Sequence, residues 1–157
     1  MEELQKEMER KIRCVLVGEP GNDLRELKSL IDTLGMETVS AITLSRLEVQ
    51  PAYGMGKGKA EEIAAGAKEC EADCIVFDFT LEPTKQRNWE KLSGLPCFDR
   101  EEVILRIFAS RAQTHEAVLQ VELARLEYSL PRLAHMYGDL ARQRGRNYGA
   151  KGSGETQ

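Results

Sequence analysis

Arg13-Cys14-Val15-Leu16-Val17-Gly18-Glu19-Pro20-Gly21-Asn22-Asp23-Leu24 is the stretch from which the fold is read. A short apolar run is closed by a turn cluster, Gly18 to Gly21. Asn22 or Asp23 then offers a side-chain oxygen to the free N–H groups of a helix start. Leu24, Leu27, Leu30, Ile31 and Leu34 recur at helical spacing, and Gly35 suits the left-handed position that closes a helix. Thr38-Val39-Ser40-Ala41-Ile42-Thr43-Leu44 is rich in β-branched residues and predicts a second strand. Strand, helix, strand in this order predicts a parallel pair, which only a crossover can join.

The same unit repeats downstream. A helix from about Ala60 to Cys70 leads to Cys74-Ile75-Val76-Phe77, wholly apolar as a strand covered on both faces must be. Pro83 suits the first turn of a helix through about Leu92, and Pro96-Cys97-Phe98 predicts a weak fourth strand. Asp99 predicts a cap for the next helix, with Glu102 three residues on to complete a capping box. Residues 1–99 thus predict an α/β domain, a small four-stranded parallel sheet with helices on both faces.

From Glu101 the punctuation disappears, and a helical arm is expected over 100–141, restarted at Thr114. Leu119, Leu123, Leu126, Leu130, Leu133, Tyr137 and Leu140 alternate spacings of four and three, a seam for a partner helix. Glu122, Arg125, Glu127 and Arg132 between them predict solvent-facing flanks, and Pro131 predicts a kink or an end. Glycines at 145, 149, 152 and 154 predict a basic, glycine-rich loop over 142–157. Nothing after Leu140 can supply the partner helix, so the chain is expected to be a fragment.

Composition narrows the function. The chain has 157 residues, 41% hydrophobic and 31% charged, enough apolar surface to exclude wholesale disorder. No run approaches the roughly 20 apolar residues of a membrane span, and the acidic start Met1-Glu2-Glu3 lacks a secretion signal, so the cytoplasm is expected. Cys14, Cys70, Cys74 and Cys97 predict buried reduced thiols rather than a metal site or disulfides. The net charge of −4 argues against a generic nucleic-acid binder, but residues 141–157 hold four cations and one anion, +3, leaving −7 to the rest.

Gly54-Met55-Gly56-Lys57-Gly58-Lys59 has the look of a phosphate loop, with Gly56, Gly58 and Lys59 as the candidate anion holders. Aligned on Gly58-Lys59, however, the first glycine of that signature falls on Tyr53, and Ala60 has no hydroxyl for Mg²⁺. Asp78, Glu82 and Asp99 lie near strand ends with no histidine beside them, and His115 and His135 fall in the helical region, so no catalytic centre is expected. In Gln86-Arg87-Asn88-Trp89-Glu90 the tryptophan predicts core packing, and Arg87 and Asn88 surface positions. Arg142, Arg144, Arg146 and Lys151 can neutralise phosphates, and Tyr148 can stack on an unpaired base. The alternative for the same tract is a linker whose arginines aid solubility.

Four segments together, Tyr53 to Ile63, Gln86 to Glu90, Leu119 to Leu133 and Gly152 to Gln157, resemble the successive motifs of the HflX family of ribosome-associated GTPases. The resemblance implies an N-terminal α/β domain followed by half of a two-helix hairpin. It implies that the tip of that hairpin touches ribosomal RNA near the peptidyl-transferase region of the large subunit. It also implies that the full-length protein binds GTP and Mg²⁺, hydrolyses GTP, and splits or rescues ribosomes under stress, with its GTP-binding motifs beyond Gln157. Three readings stand at this point: a ribosome-docking portion of a GTPase, an ATP-binding α/β domain using Gly56, Gly58 and Lys59, and a module that self-associates through Leu119, Leu123, Leu126, Leu130 and Leu133.

Overall fold

A computed structural model describes residues 1–48 and 52–152, with residues 7, 8 and 134–152 described by their backbone alone. A short helix α1 (Glu2–Met8), which the sequence reading did not anticipate, precedes the sheet domain. The remaining elements are β1 (Arg13–Gly18), α2 (Arg25–Thr33), β2 (Glu37–Thr43), α3 (Lys57–Glu69), β3 (Cys74–Phe77), α4 (Pro83–Ser93), β4 (Cys97–Asp99), α5 (Arg100–Arg111) and α6 (His115–Gly152). The strands form one parallel sheet in the order β2-β1-β3-β4.

Alternation along β1 divides the core in two. Val15 and Val17 pack with Ile63 and Ala67 of α3 and Trp89 of α4, whereas Cys14 and Leu16 pack with Leu27 and Ile31 of α2 and Val103 and Ile107 of α5. Helices therefore cover both faces, as the apolar strands required. Cys14 and Cys74 face each other across β1 and β3 with sulfurs 3.3 Å apart, and all four cysteines are free thiols. Burial pushes the Cys97 thiol up to about 12.

The helix ends separate what local sequence dictates from what packing overrides. Gly35, at φ +74°, closes α2 as expected: Met36 N–H donates to the Ile31 carbonyl and Gly35 N–H to that of Asp32, the paired bonds of a Schellman cap. The start of α2 differs from expectation. Asn22 Oδ1 accepts from Leu24 N–H at 2.9 Å and Asp23 Oδ1 from Arg25 N–H at 3.1 Å, so both side chains build turns two residues long rather than a helix cap. Leu24, at φ 63°, takes the cap position because its side chain is drawn into the core.

Asp99 caps α5, its Oδ1 accepting from Glu102 N–H at 3.1 Å. The capping box stays half made, because the Glu102 carboxylate pairs with Arg106 at 3.0 Å instead. Thr114 caps α6 as expected, accepting from Ala117 N–H at 3.1 Å. α6 then continues past Pro131 and past residue 141 to Gly152, where a loop was expected from 142. Extending an existing helix needs no new nucleus, and the Ala, Arg and Gln positions of this stretch favour helix, which offsets Gly145 and Gly149. The tail 153–157 lies outside the described residues. Among the described residues no helix is long and apolar enough to cross a membrane.

Candidate functional site: the arm and its joint to the sheet domain

α6 carries two opposed apolar stripes. Ala117, Val121, Ala124 and Tyr128 turn toward the rest of the molecule, half-buried or buried. About half a turn round the helix, Leu119, Leu123, Leu126, Leu130 and Leu133 face away and are 45–59% exposed. The predicted seam is thus unpartnered among the described residues. Leucines of this exposure leave a continuous apolar strip in water, which favours a partner.

The inward stripe ends in a buried polar joint that the sequence reading missed. Asp99, at the carboxyl end of β4, is 1% exposed. Besides the Glu102 N–H, its Oδ1 accepts from the Tyr128 hydroxyl at 3.0 Å. Its Oδ2 accepts from Leu81 N–H at 3.2 Å and from Arg132 Nη2 at 3.3 Å. Arg132 also donates to Gln86 Oε1 at 2.7 Å, to the Leu81 carbonyl at 2.9 Å and to the Tyr128 carbonyl at 3.0 Å. Its guanidinium lies 3.6 Å from the Tyr128 ring centroid. Gln86 passes the chain of bonds on, donating to the Cys97 carbonyl at 2.8 Å. Burial and the neighbouring Asp99 carboxylate push the Tyr128 phenol well up, so it stays a donor. Arg132, expected on a solvent-facing flank, is therefore turned inward. The signal available in sequence was its i, i+4 spacing from Tyr128, off the leucine seam.

Asn88 and Trp89 tie α4 to the segment that leads into α3. Trp89 is fully buried, as expected, and its Nε1 donates to the Tyr53 carbonyl at 2.9 Å. Asn88, expected as a surface group without a role, donates to the Ala52 carbonyl at 3.0 Å. These bonds hold the residues just before Gly54, and α3 starts at Lys57 with Gly56 at its cap position. Lys59 pairs with Glu62 at 3.6 Å and Lys57 with Glu61 at 4.0 Å. Gly56 and Gly58 border open space, with no protein atom within 4 Å of a Cβ added at either.

The crevice at the carboxyl ends of β1 and β3, where the strand order reverses and such sheets often bind ligands, is filled from within. Asp78 is 5% exposed and takes bonds from Asn22 Nδ2 and from Arg100 Nη1, the latter at 3.3 Å, while Arg100 also pairs with Glu26. Glu82 sits exposed at the cap of α4. The candidate RNA contacts, Arg142, Arg144, Arg146, Tyr148 and Lys151, lie on the backbone of the far part of α6; their side chains lie outside the described residues.

Two family models match in tandem. Residues 21–109 match one described as GTP-binding GTPase N-terminal, and residues 111–157 one described as GTP-binding GTPase Middle Region. Proteins named GTPase HflX are 48% identical in Akkermansia muciniphila over 82% of this chain, 45% identical in Escherichia coli over 86%, and 39% identical in Caldanaerobacter subterraneus over its whole length. The chain belongs to the HflX family. It spans about a third of these relatives, 29%, 32% and 37% of their lengths. Among solved structures, a GTP-binding protein from Sulfolobus solfataricus in complex with GDP superposes with a TM-score of 0.62 at 23% identity, over 89% of this HflX chain and 44% of that one. At that identity the likeness is one of fold. In this HflX chain the joint straddles the two matched regions: Gln86 and Asp99 belong to the first, Tyr128 and Arg132 to the second.

Proposed function

We propose that this chain is the N-terminal portion of an HflX-type GTPase that docks on ribosomal RNA of the large subunit through the far end of α6. The observation that carries the reading is the arm itself: a long helix fixed to the sheet domain on one side, exposing a leucine seam on the other, and running into a segment of net positive charge. Arg142, Arg144, Arg146 and Lys151 supply cations for phosphates and Tyr148 a stacking face. The partner of the seam is a second helix that follows in the complete protein. That protein acts in the cytoplasm, binds GTP with Mg²⁺ through a domain beyond Gln157, and uses hydrolysis to split or rescue ribosomes under stress. No step of that hydrolysis is assigned to residues of this chain.

Binding to purified large subunits across a salt series tests the docking. Each phosphate contact contributes about 0.7–0.9 to the slope of log affinity against log salt. Replacing Arg142, Arg144 and Arg146 together by alanine is expected to lower that slope by about two to three and to weaken binding at least tenfold. Unchanged binding removes the far end of the arm from the mechanism.

A further inference from the structure

We propose that Tyr128 and Arg132 are positioning residues, whose bonds to the buried Asp99 carboxylate fix the direction in which α6 leaves the sheet domain. The proposal rests on the docking reading above and adds to it the device that aims the arm.

The geometry of the contact requires such a device. α5 and α6 are joined only by Ala112 to Thr114, and Ala112 is extended, at ψ 115°. Beside that link, Ala117, Val121 and Ala124 of α6 line an open cleft of about 400 Å³ with Leu105, Phe108 and Arg111 of α5. On the α6 side these three side chains are short, so no knob of the arm fills a hole on α5 to set one angle, and the contact allows rocking. Further along the arm the contact changes kind. Arg132 offers a planar fork of donors in fixed geometry, and here the fork engages Gln86, Leu81 and Asp99 on three different segments. Tyr128 engages Asp99 at its other oxygen. Apart from Arg132's own bond to the Tyr128 carbonyl, every bond that these two side chains donate goes to an acceptor in the sheet domain, so together they measure the position of α6 against it.

The lever arithmetic shows how much depends on it. At about 1.5 Å per residue, Arg132 lies ~25 Å along α6 from its start and Gly152 lies ~55 Å along. Rocking by about 10° about the α5–α6 link would move the far end by ~10 Å, more than the Debye length of about 8 Å at physiological salt. Cations displaced that far lose their phosphates to screening. A pin roughly halfway along the lever prevents this with two side chains.

The test uses double electron–electron resonance on the chain, with nitroxides on keto amino acids at positions 61 and 139, so that the native cysteines stay. Tyr128→Phe removes one hydroxyl and Arg132→Gln removes the fork; each is compared with the parent, singly and together. The expected result is a distance distribution that is narrow in the parent and broadened by several ångströms in the variants. Large-subunit affinity falls about tenfold, because only a fraction of the loosened arms points in the docking direction, while the salt slope stays at the parent value because an arm that does dock makes the same phosphate contacts. Arg132→Lys, which restores charge without the fork, leaves the distribution broad. Trp89 fluorescence and circular dichroism report whether the sheet domain is folded, and Tyr128→Phe alone carries the test if Arg132→Gln is not. An unchanged distribution overturns the proposal. So does a fall in the salt slope, which would make Arg132 an RNA contact, and so does broadening without loss of affinity while the arginine-to-alanine triple variant still binds weakly. If that triple variant binds normally, the docking reading fails, and the distance distributions alone decide whether the joint aims the arm.

Discussion

Gly18 ends β1 against a side chain that has nowhere else to go. A Cβ built on it would lie 2.6 Å from Cδ2 of Leu24, which is 1% exposed and held at φ 63°. Gly18→Ala must therefore push a buried leucine off its rotamer or shift the turn that carries Asn22. The expected loss is about 1–3 kcal/mol, the range for overpacking a core, read as a fall in the urea midpoint at constant slope. A midpoint equal to the parent's would show that the turn yields freely. The identity of Gly18 looked like turn chemistry in the sequence; its reason is a contact six residues on, which depends on Leu24 folding inward.

At the scale of the elements, a helix end and a helix interior predict opposite signs for one substitution. Gly35 holds a left-handed position, φ +74°, at the close of α2, whereas Gly66 lies inside α3 with no atom within 4 Å of an added Cβ. Gly35→Ala is expected to destabilise by about 1 kcal/mol, since a Cβ disfavours that backbone region. Gly66→Ala is expected to stabilise by about 0.5–1 kcal/mol through propensity alone. Thermal unfolding of the two variants side by side decides it, and a Gly35→Ala variant no less stable than the parent would sink the account of the α2 cap. Most boundaries were legible at this scale, because Gly35, Asp99 and Thr114 act through their nearest neighbours. The far end of α6 was not: glycines marked a loop, and the cooperativity of a helix already under way carried the backbone to Gly152.

For the molecule as a whole, the two stripes of α6 lie on opposite sides, so they can be changed separately. Leu119, Leu123, Leu126, Leu130 and Leu133 touch no other described element closely enough to be buried. The chain is expected to self-associate through them as concentration rises, measured by light scattering. Leu123→Glu with Leu126→Glu should abolish this while moving stability by no more than about 0.5 kcal/mol, as exposed sites allow. A chain that is monomeric at every concentration leaves the strip uncovered and refutes the prediction. Sequence alone determined the parallel α/β sheet, the two-sided core, the leucine stripe and the family resemblance, because periodicity, turn residues and contiguous motifs are properties of neighbours along the chain. Only the tertiary structure decided that Arg132 turns inward, that Asn22 and Arg100 fill the crevice around Asp78, and that Asp99, Leu81, Gln86, Tyr128 and Arg132 meet. A buried carboxylate takes whatever donors the fold brings within about 3 Å, and residues 18 to 51 positions apart carry no mark in one sequence that they will be those donors.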